Sequence, residues 1–157
     1  DHGTQHSCGA RNLVLEWAEE EGIELVESRS SGKKPTGRSW EDWWRQKRYE
    51  FLNSLPGTVV TAHNLDDAVE WWIMSSLHGI GRLIPARKEN VIRPFLTTPK
   101  LSLHQWCHTR NVPYVIDPGN SNERFTRSIV RHRLLPQALR VNPGLYKTVR
   151  KKLRNAV

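Results

Sequence analysis

The chain has 157 residues, a length suited to one domain, with 37% hydrophobic and 25% charged residues, enough for a buried core. That balance excludes a collagen-like fibre and low-complexity disorder, and no apolar run is long enough to span a membrane. The formal net charge of +8 divides into −5 over residues 1–79 and +13 over residues 80–157, with ten basic and no acidic residues from 124 to 157. A block this one-sided points to a polyanion such as nucleic acid, because neutralised phosphates release counterions. The plain alternative is a solvated basic face.

Residues 8–21 carry an apolar helical stripe at Leu13, Val14, Trp17 and Ala18, with Ser7 as the cap and Gly22 as the stop. Residues 23–26 (IELV) alternate and predict a strand. Residues 28–37 predict a loop. A helix over 39–55 starts at Ser39, with Glu41 and Asp42 in its first turn. Residues 58–62 (TVVTA) predict a short strand, and residues 65–77 a helix capped by Asn64. Alternating helix and strand predicts an α/β fold with a parallel sheet flanked by helices.

Residues 79–90 predict a loop and 91–96 a short extended piece. Thr98-Pro99 opens a helix to about residue 110, and 112–117 predicts extended chain. Asp117-Pro118-Gly119-Asn120 predicts a turn. Residues 124–139 predict a helix interrupted near Pro136, and 143–155 a last basic helix. No internal repeat is present.

The sharpest constellation is residues 63–70, HNLDDAVE, placed where a strand gives way to a helix. In doubly wound folds ligands bind at that edge. Glu70 shares a helical face with Asp66 or Asp67, and grouped carboxylates hold a divalent cation or receive an ammonium group. The plain alternative is that first-turn acids complement the helix dipole. Gly32 to Ser39 approaches the phosphate-loop pattern but has Arg38 where that pattern needs lysine, so a basic loop is expected. Cys8 and Cys107 are too sparse for a disulfide framework or a zinc site, and two buried reduced thiols in a cytoplasmic protein are expected. The seven tryptophans are expected mostly in the core or at interfaces.

The sole methionine is Met74, and the chain begins Asp1-His2-Gly3, which suggests processing or a piece of something longer. His63-x-x-Asp66-Asp67-x-x-Glu70 after a strand resembles the ATP-pyrophosphatase (PP-loop) superfamily. Further motifs narrow the resemblance to the tRNA(Ile)-lysidine synthetase family. They are Asp1-His2-Gly3, Arg45-x-x-Arg48-Tyr49, Gly79-x-Gly81, Ile92-Arg93-Pro94-Phe95-Leu96, and Asp117-Pro118-x-Asn120 with Phe125-x-Arg127-Ser128-x-x-Arg131. Two departures stand out. Arg127-Ser128 replaces the family's Arg-Asn, and the family's SGGxDS loop, which cradles the ATP pyrophosphate, does not occur in these residues.

The resemblance implies an adenine-nucleotide α-hydrolase-like, Rossmann-like fold, here N-terminally incomplete. Residues 1–97 would be a partial PP-loop α/β domain and 98–157 a basic, mostly helical part of the same catalytic region. It implies ATP-dependent ligation of lysine to C2 of the wobble cytidine of tRNA(Ile) with a CAU anticodon, with ATP and Mg²⁺ as cofactors. Asp66, Asp67, Glu70 and Arg48 would be catalytic, with Asp67 and Glu70 as Mg²⁺ ligands. His63 and Arg48 would face the nucleotide, and Arg127, Arg131, His132, Arg133 and Lys151 the tRNA. A separate chain carrying SGGxDS would be a partner if the enzyme is split. A non-catalytic tRNA-binding remnant and a tRNA thiolase are the alternatives; thiolases carry cysteine pairs that this chain lacks.

Overall fold

The computed structural model describes residues 5–29, 33–116 and 125–156. The motifs Asp1-His2-Gly3 and Asp117-Pro118-x-Asn120, the turn expected there, and Gly32 lie outside the described residues.

Helix α1 (Gln5–Glu20) starts earlier than the expected Ser7 cap, which falls inside its first turns. It ends as expected at Gly22, where φ is +64° and Ile23 N–H donates to Ala18 O at 2.8 Å. The expected strand over 23–26 is irregular, exposed chain. An alternating tetrapeptide needs a neighbouring strand to complete its ladder, and none pairs with it among the described residues. Residues 112–116 likewise form no strand, with Val112 half-buried and the rest exposed. Helix α2 (Trp40–Ser54) begins as its sequence predicts, with Ser39 Oγ accepting from Asp42 N–H at 3.1 Å.

The sheet corrects the all-parallel expectation. Strand β1 (Val59–Val60) pairs parallel with β3 (Val91–Ile92), but β2 (Arg87–Lys88) pairs antiparallel with β3, giving the mixed order β1-β3-β2. The source of the difference is a tight hairpin inside the stretch expected to be loop. Glu89 turns the chain at φ +55°. Asn90 then donates its side-chain amide to Leu52 O at 3.0 Å, fastening the hairpin to the end of α2.

Helix α3 (Leu65–Leu77) is the centre of the molecule. Asn64 Oδ1 accepts from Asp66 and Asp67 N–H at 3.0 and 3.2 Å, and Asp67 Oδ2 accepts from Asn64 N–H at 2.8 Å. This reciprocal cap satisfies donors that a helix start leaves open. At the other end Gly79 and Gly81 both take positive φ (+74° and +62°), and Ile80 and Gly81 N–H donate to Ser75 O. Left-handed backbone at both positions explains why the motif needs glycine twice.

Helix α4 (Lys100–Thr109) is not capped by Thr98. Its first N–H, from Lys100, goes to Asp66 Oδ2 at 2.7 Å, so an acid of α3 starts the next helix. The basic segment forms α5 (Thr126–Ile129), a π-helical turn (Val130–Leu134) and α6 (Leu135–Val141). The interruption therefore precedes Pro136, which lacks the N–H that α-helical bonding to His132 would need.

Helix α7 (Leu145–Asn155) buries Leu145, Val149 and Leu153, spaced by four, and leaves Lys147, Lys151, Lys152 and Arg154 exposed, with Arg150 half-buried. That stripe packs on Leu65, Ala68 and Val69 of α3, with Leu96 and Leu135 completing the core. Residues from both sides of the boundary expected near residue 97 thus share one core. Both cysteines are free, Cys8 exposed and Cys107 half-buried, against the expectation of burial. The side of α1 that carries Cys8 has little packed on it: Ala18 is the only described α1 residue that is fully buried. Trp17, Trp40 and Trp106 are also exposed.

Candidate active site

The carboxylates of the 63–70 segment are placed by the cap of α3 and then claimed by four other elements. Asp66 faces α7 as well as α4: its Oδ1 accepts from Tyr146 Oη–H at 3.0 Å. Burial first, and the adjacent Asp66 second, push the Tyr146 phenol well above its usual pKa, so it stays a donor. Asp66 is therefore a tie between helices.

Asp67 spends Oδ2 on the cap and offers Oδ1 to Arg127 Nη2 at 2.5 Å. Glu70 is almost sealed from solvent, with 2% of its side chain exposed. Its Oε2 accepts from Arg127 Nε at 2.8 Å, and Arg131 reaches both oxygens, Nε to Oε1 at 2.6 Å and Nη2 to Oε2 at 3.1 Å. A buried carboxylate is tolerable only when its lone pairs are filled this way. The hydrogen bond to Glu70 raises the pKa of Arg131 above its ordinary value, against the burial that lowers it.

His63 ends the β1 edge, with Nδ1 3.0 Å from Thr61 Oγ1. Desolvation lowers its pKa below the usual 6.5, Asp67 opposes that, and Arg93, Arg127 and Arg48 reinforce it. The imidazole is neutral at physiological pH. Arg48 projects from α2 into the same charged neighbourhood. Desolvation lowers its pKa first, Tyr49 raises it, and Arg45 and Arg127 lower it further.

The expected site residues therefore divide. His63, Asp66, Asp67, Glu70, Arg48, Arg127 and Arg131 converge around the start of α3. Arg127 and Arg131, expected on a tRNA path, are turned inward and engaged by carboxylates. His132, Arg133 and Lys151 are exposed on the outer side of the basic segment. The Mg²⁺ set expected at Asp67 and Glu70 meets guanidiniums on every oxygen not used by the cap. Among the described residues no group of three His, Cys, Asp or Glu is arranged to hold a metal. As arranged, these oxygens do not fit a divalent cation unless an arginine leaves.

Beside this cluster lies a cavity of about 790 Å³, bounded by α2, α3, β2, the segment before it, and Arg93 just after β3. His63 and Arg127 line it, so it adjoins the carboxylate cluster, although Asp66, Asp67 and Glu70 do not themselves line it. Six lysines or arginines line it against two carboxylates, Glu41 and Asp42. Arg93 is a lining residue to which the sequence gave motif membership but no role. It is 4% exposed, donating Nη1 to Pro85 O at 2.9 Å and Nη2 to Tyr49 Oη at 2.8 Å.

A strand-edge acid cluster at a capped helix start, facing a cationic cavity, is an arrangement suited to nucleotide chemistry. Residues 1–138 match the family model described as the PP-loop domain, and the chain belongs to that family. Within it, the chain is 32% identical over 119 residues to the tRNA(Ile)-lysidine synthase of Thermotoga maritima, covering 70% of this chain and 29% of that protein. It is 32% identical over 114 residues to that of Thermosipho africanus, covering 67% and 27%, and 27% identical over 135 residues to that of Francisella tularensis subsp. novicida, covering 78% and 34%. The chain thus spans about a third of the length of these curated relatives. No described helix is long and apolar enough to cross a membrane.

Proposed function

We propose that this chain provides the amine-handling and RNA-facing part of an ATP-dependent lysidine-forming ligase acting on the wobble cytidine of tRNA(Ile). The observation that carries the reading is the Asp67–Arg127–Glu70–Arg131 cluster at the start of α3, in a PP-loop chain whose relatives are named tRNA(Ile)-lysidine synthases. ATP would supply activation of the cytidine C2 oxygen as a leaving group. An SGGxDS-bearing segment, in the same or a separate chain, would supply the phosphate cradle.

The residues present divide the remaining work by accessibility. A lysine ε-amine must lose a proton before it attacks, so a carboxylate must be reachable. Asp67, with 20% of its side chain exposed, is reachable, and Glu70 is not. Asp67 therefore orients the ammonium group and takes its proton through Oδ1, the oxygen the cap does not use, once Arg127 Nη2 swings off it. Glu70 is a positioning residue that fixes Arg127 beside Asp67. Asp66 supports both through the backbone of α4 and Tyr146. Neutral His63 offers a hydrogen bond to the nucleotide without adding charge, and Arg48 faces its phosphates. We assign no Mg²⁺ ligand to Asp67 or Glu70.

Exposed His132, Arg133 and Lys151 carry the tRNA contacts, which position the RNA without reading its sequence. The test is ATP-dependent incorporation of labelled lysine into tRNA(Ile) with a CAU anticodon, the chain being supplied with an SGGxDS-bearing segment. Incorporation that disappears when the wobble cytidine is replaced by uridine supports the function. Tight tRNA binding with no incorporation supports a non-catalytic remnant instead.

A further inference from the structure

One wall of the cavity is made of residues given no role above. Tyr49 has the Arg45 guanidinium 5.4 Å from its ring centre and Arg93 at 5.9 Å, and Arg45 lies 5.5 Å from the ring of Trp71. The order Arg93, Tyr49, Arg45, Trp71 alternates cation and π-face across three elements, and all four residues line the cavity. Arg45 and Tyr49 are one turn apart on α2, Trp71 faces them from α3, and Arg93 follows β3.

Arg93 adds a second observation. Among the described residues no carboxylate pairs with it, and its buried Nε has no hydrogen-bond partner. A buried, unpaired cation is costly, and an anion entering the same low-dielectric space offsets that cost. Trp71 and Arg45 present flat faces suited to an unstacked base. The volume lies within the range of small-ligand sites.

We propose that this wall receives one unstacked RNA nucleotide, its base against Trp71 and Arg45 and its phosphate drawn toward Arg93. The inference rests on the tRNA reading of the neighbouring site. RNA is favoured over a free nucleotide because Arg82 and Lys88 stand exposed at the rim, where phosphates of a continuing strand would pass.

The experiment is fluorescence anisotropy with a labelled anticodon stem-loop carrying either cytidine or an abasic residue at the wobble position. The 157-residue chain should bind the cytidine RNA about tenfold more tightly, the scale of one stacked base. The ratio should fall to about one in Arg45→Ala and Trp71→Leu and recover in Trp71→Phe, with thermal melting confirming that each variant is folded. Equal affinity of the unaltered chain for both RNAs overturns the inference while leaving the tRNA reading standing. Failure of both RNAs to bind overturns the tRNA reading and the inference with it. Variants that weaken both RNAs equally assign Trp71 and Arg45 a structural role and overturn it. Loss of the ratio on adding millimolar ATP or CMP assigns the wall to a free nucleotide and also overturns it.

Discussion

Arg131 grips Glu70 with two nitrogens, Nε at 2.6 Å and Nη2 at 3.1 Å, and so joins the π-helical turn to the buried face of α3. Arg127 bonds the same carboxylate one helical turn earlier. Removing Glu70's charge would leave two guanidiniums facing an amide, whereas removing Arg131 leaves Arg127 in service. Glu70→Gln should therefore cost about 3 kcal/mol of stability and Arg131→Met about 2 kcal/mol, read from urea unfolding. Losses below about 0.5 kcal/mol for both would mean the cluster behaves as a surface ion pair.

Asp66 joins α4 and α7 to the start of α3, through Lys100 N–H and Tyr146 Oη–H. Asp66→Ala removes both partners and Tyr146→Phe only one. The expected losses are about 2 and about 1 kcal/mol, in that order. The reverse order in urea unfolding would contradict the two-helix role.

The His63 imidazole is harder to protonate in the folded chain than its usual 6.5. Between that lowered value and 6.5 the unfolded chain binds more protons, so stability rises with pH across the window and is lost as pH falls below 6.5. His63→Gln removes the group. Its melting temperature should fall less than that of the unaltered chain on acidification from neutral pH. An equal or steeper fall would contradict burial as the cause.

The outer face of α7 and the exposed side of the π-helical turn should act through charge alone. Lys151→Ala and Arg133→Ala should each reduce the slope of log affinity for tRNA against log salt by about one, for all RNA sequences alike. Unchanged slopes would remove these residues from the RNA face.

The start of α3 was legible in the sequence because its cap, acids and apolar stripe lie within a few residues of one another. Ser39 was legible for the same reason, whereas Gly79-x-Gly81 was visible as a motif in an expected loop and not as the stop of α3. The clamp on Glu70 was not, since Arg127 and Arg131 reach it across about sixty residues and look, in sequence, like any basic face. Arg93 and Tyr49 were visible as motif members, but their hydrogen bond joins positions 44 residues apart. The sheet was misjudged where β2 hides as a two-residue piece in a Gly- and Pro-containing segment, too short for any periodicity to register. Residues 23–26 alternate well enough, but strand formation depends on a neighbour that local sequence does not specify.

The account turns on Asp67 as the carboxylate that meets the substrate amine. Asp67→Asn keeps an oxygen for the α3 cap and removes the charge. The decisive measurement is single-turnover lysine incorporation into tRNA(Ile), alongside tRNA affinity, for Asp67→Asn and the unaltered protein, each with an SGGxDS-bearing segment present. The predicted result is a rate reduced about 100-fold, the scale of a lost general base, with tRNA affinity within about twofold. An unchanged rate, or a fall in rate matched by an equal fall in affinity, would contradict it.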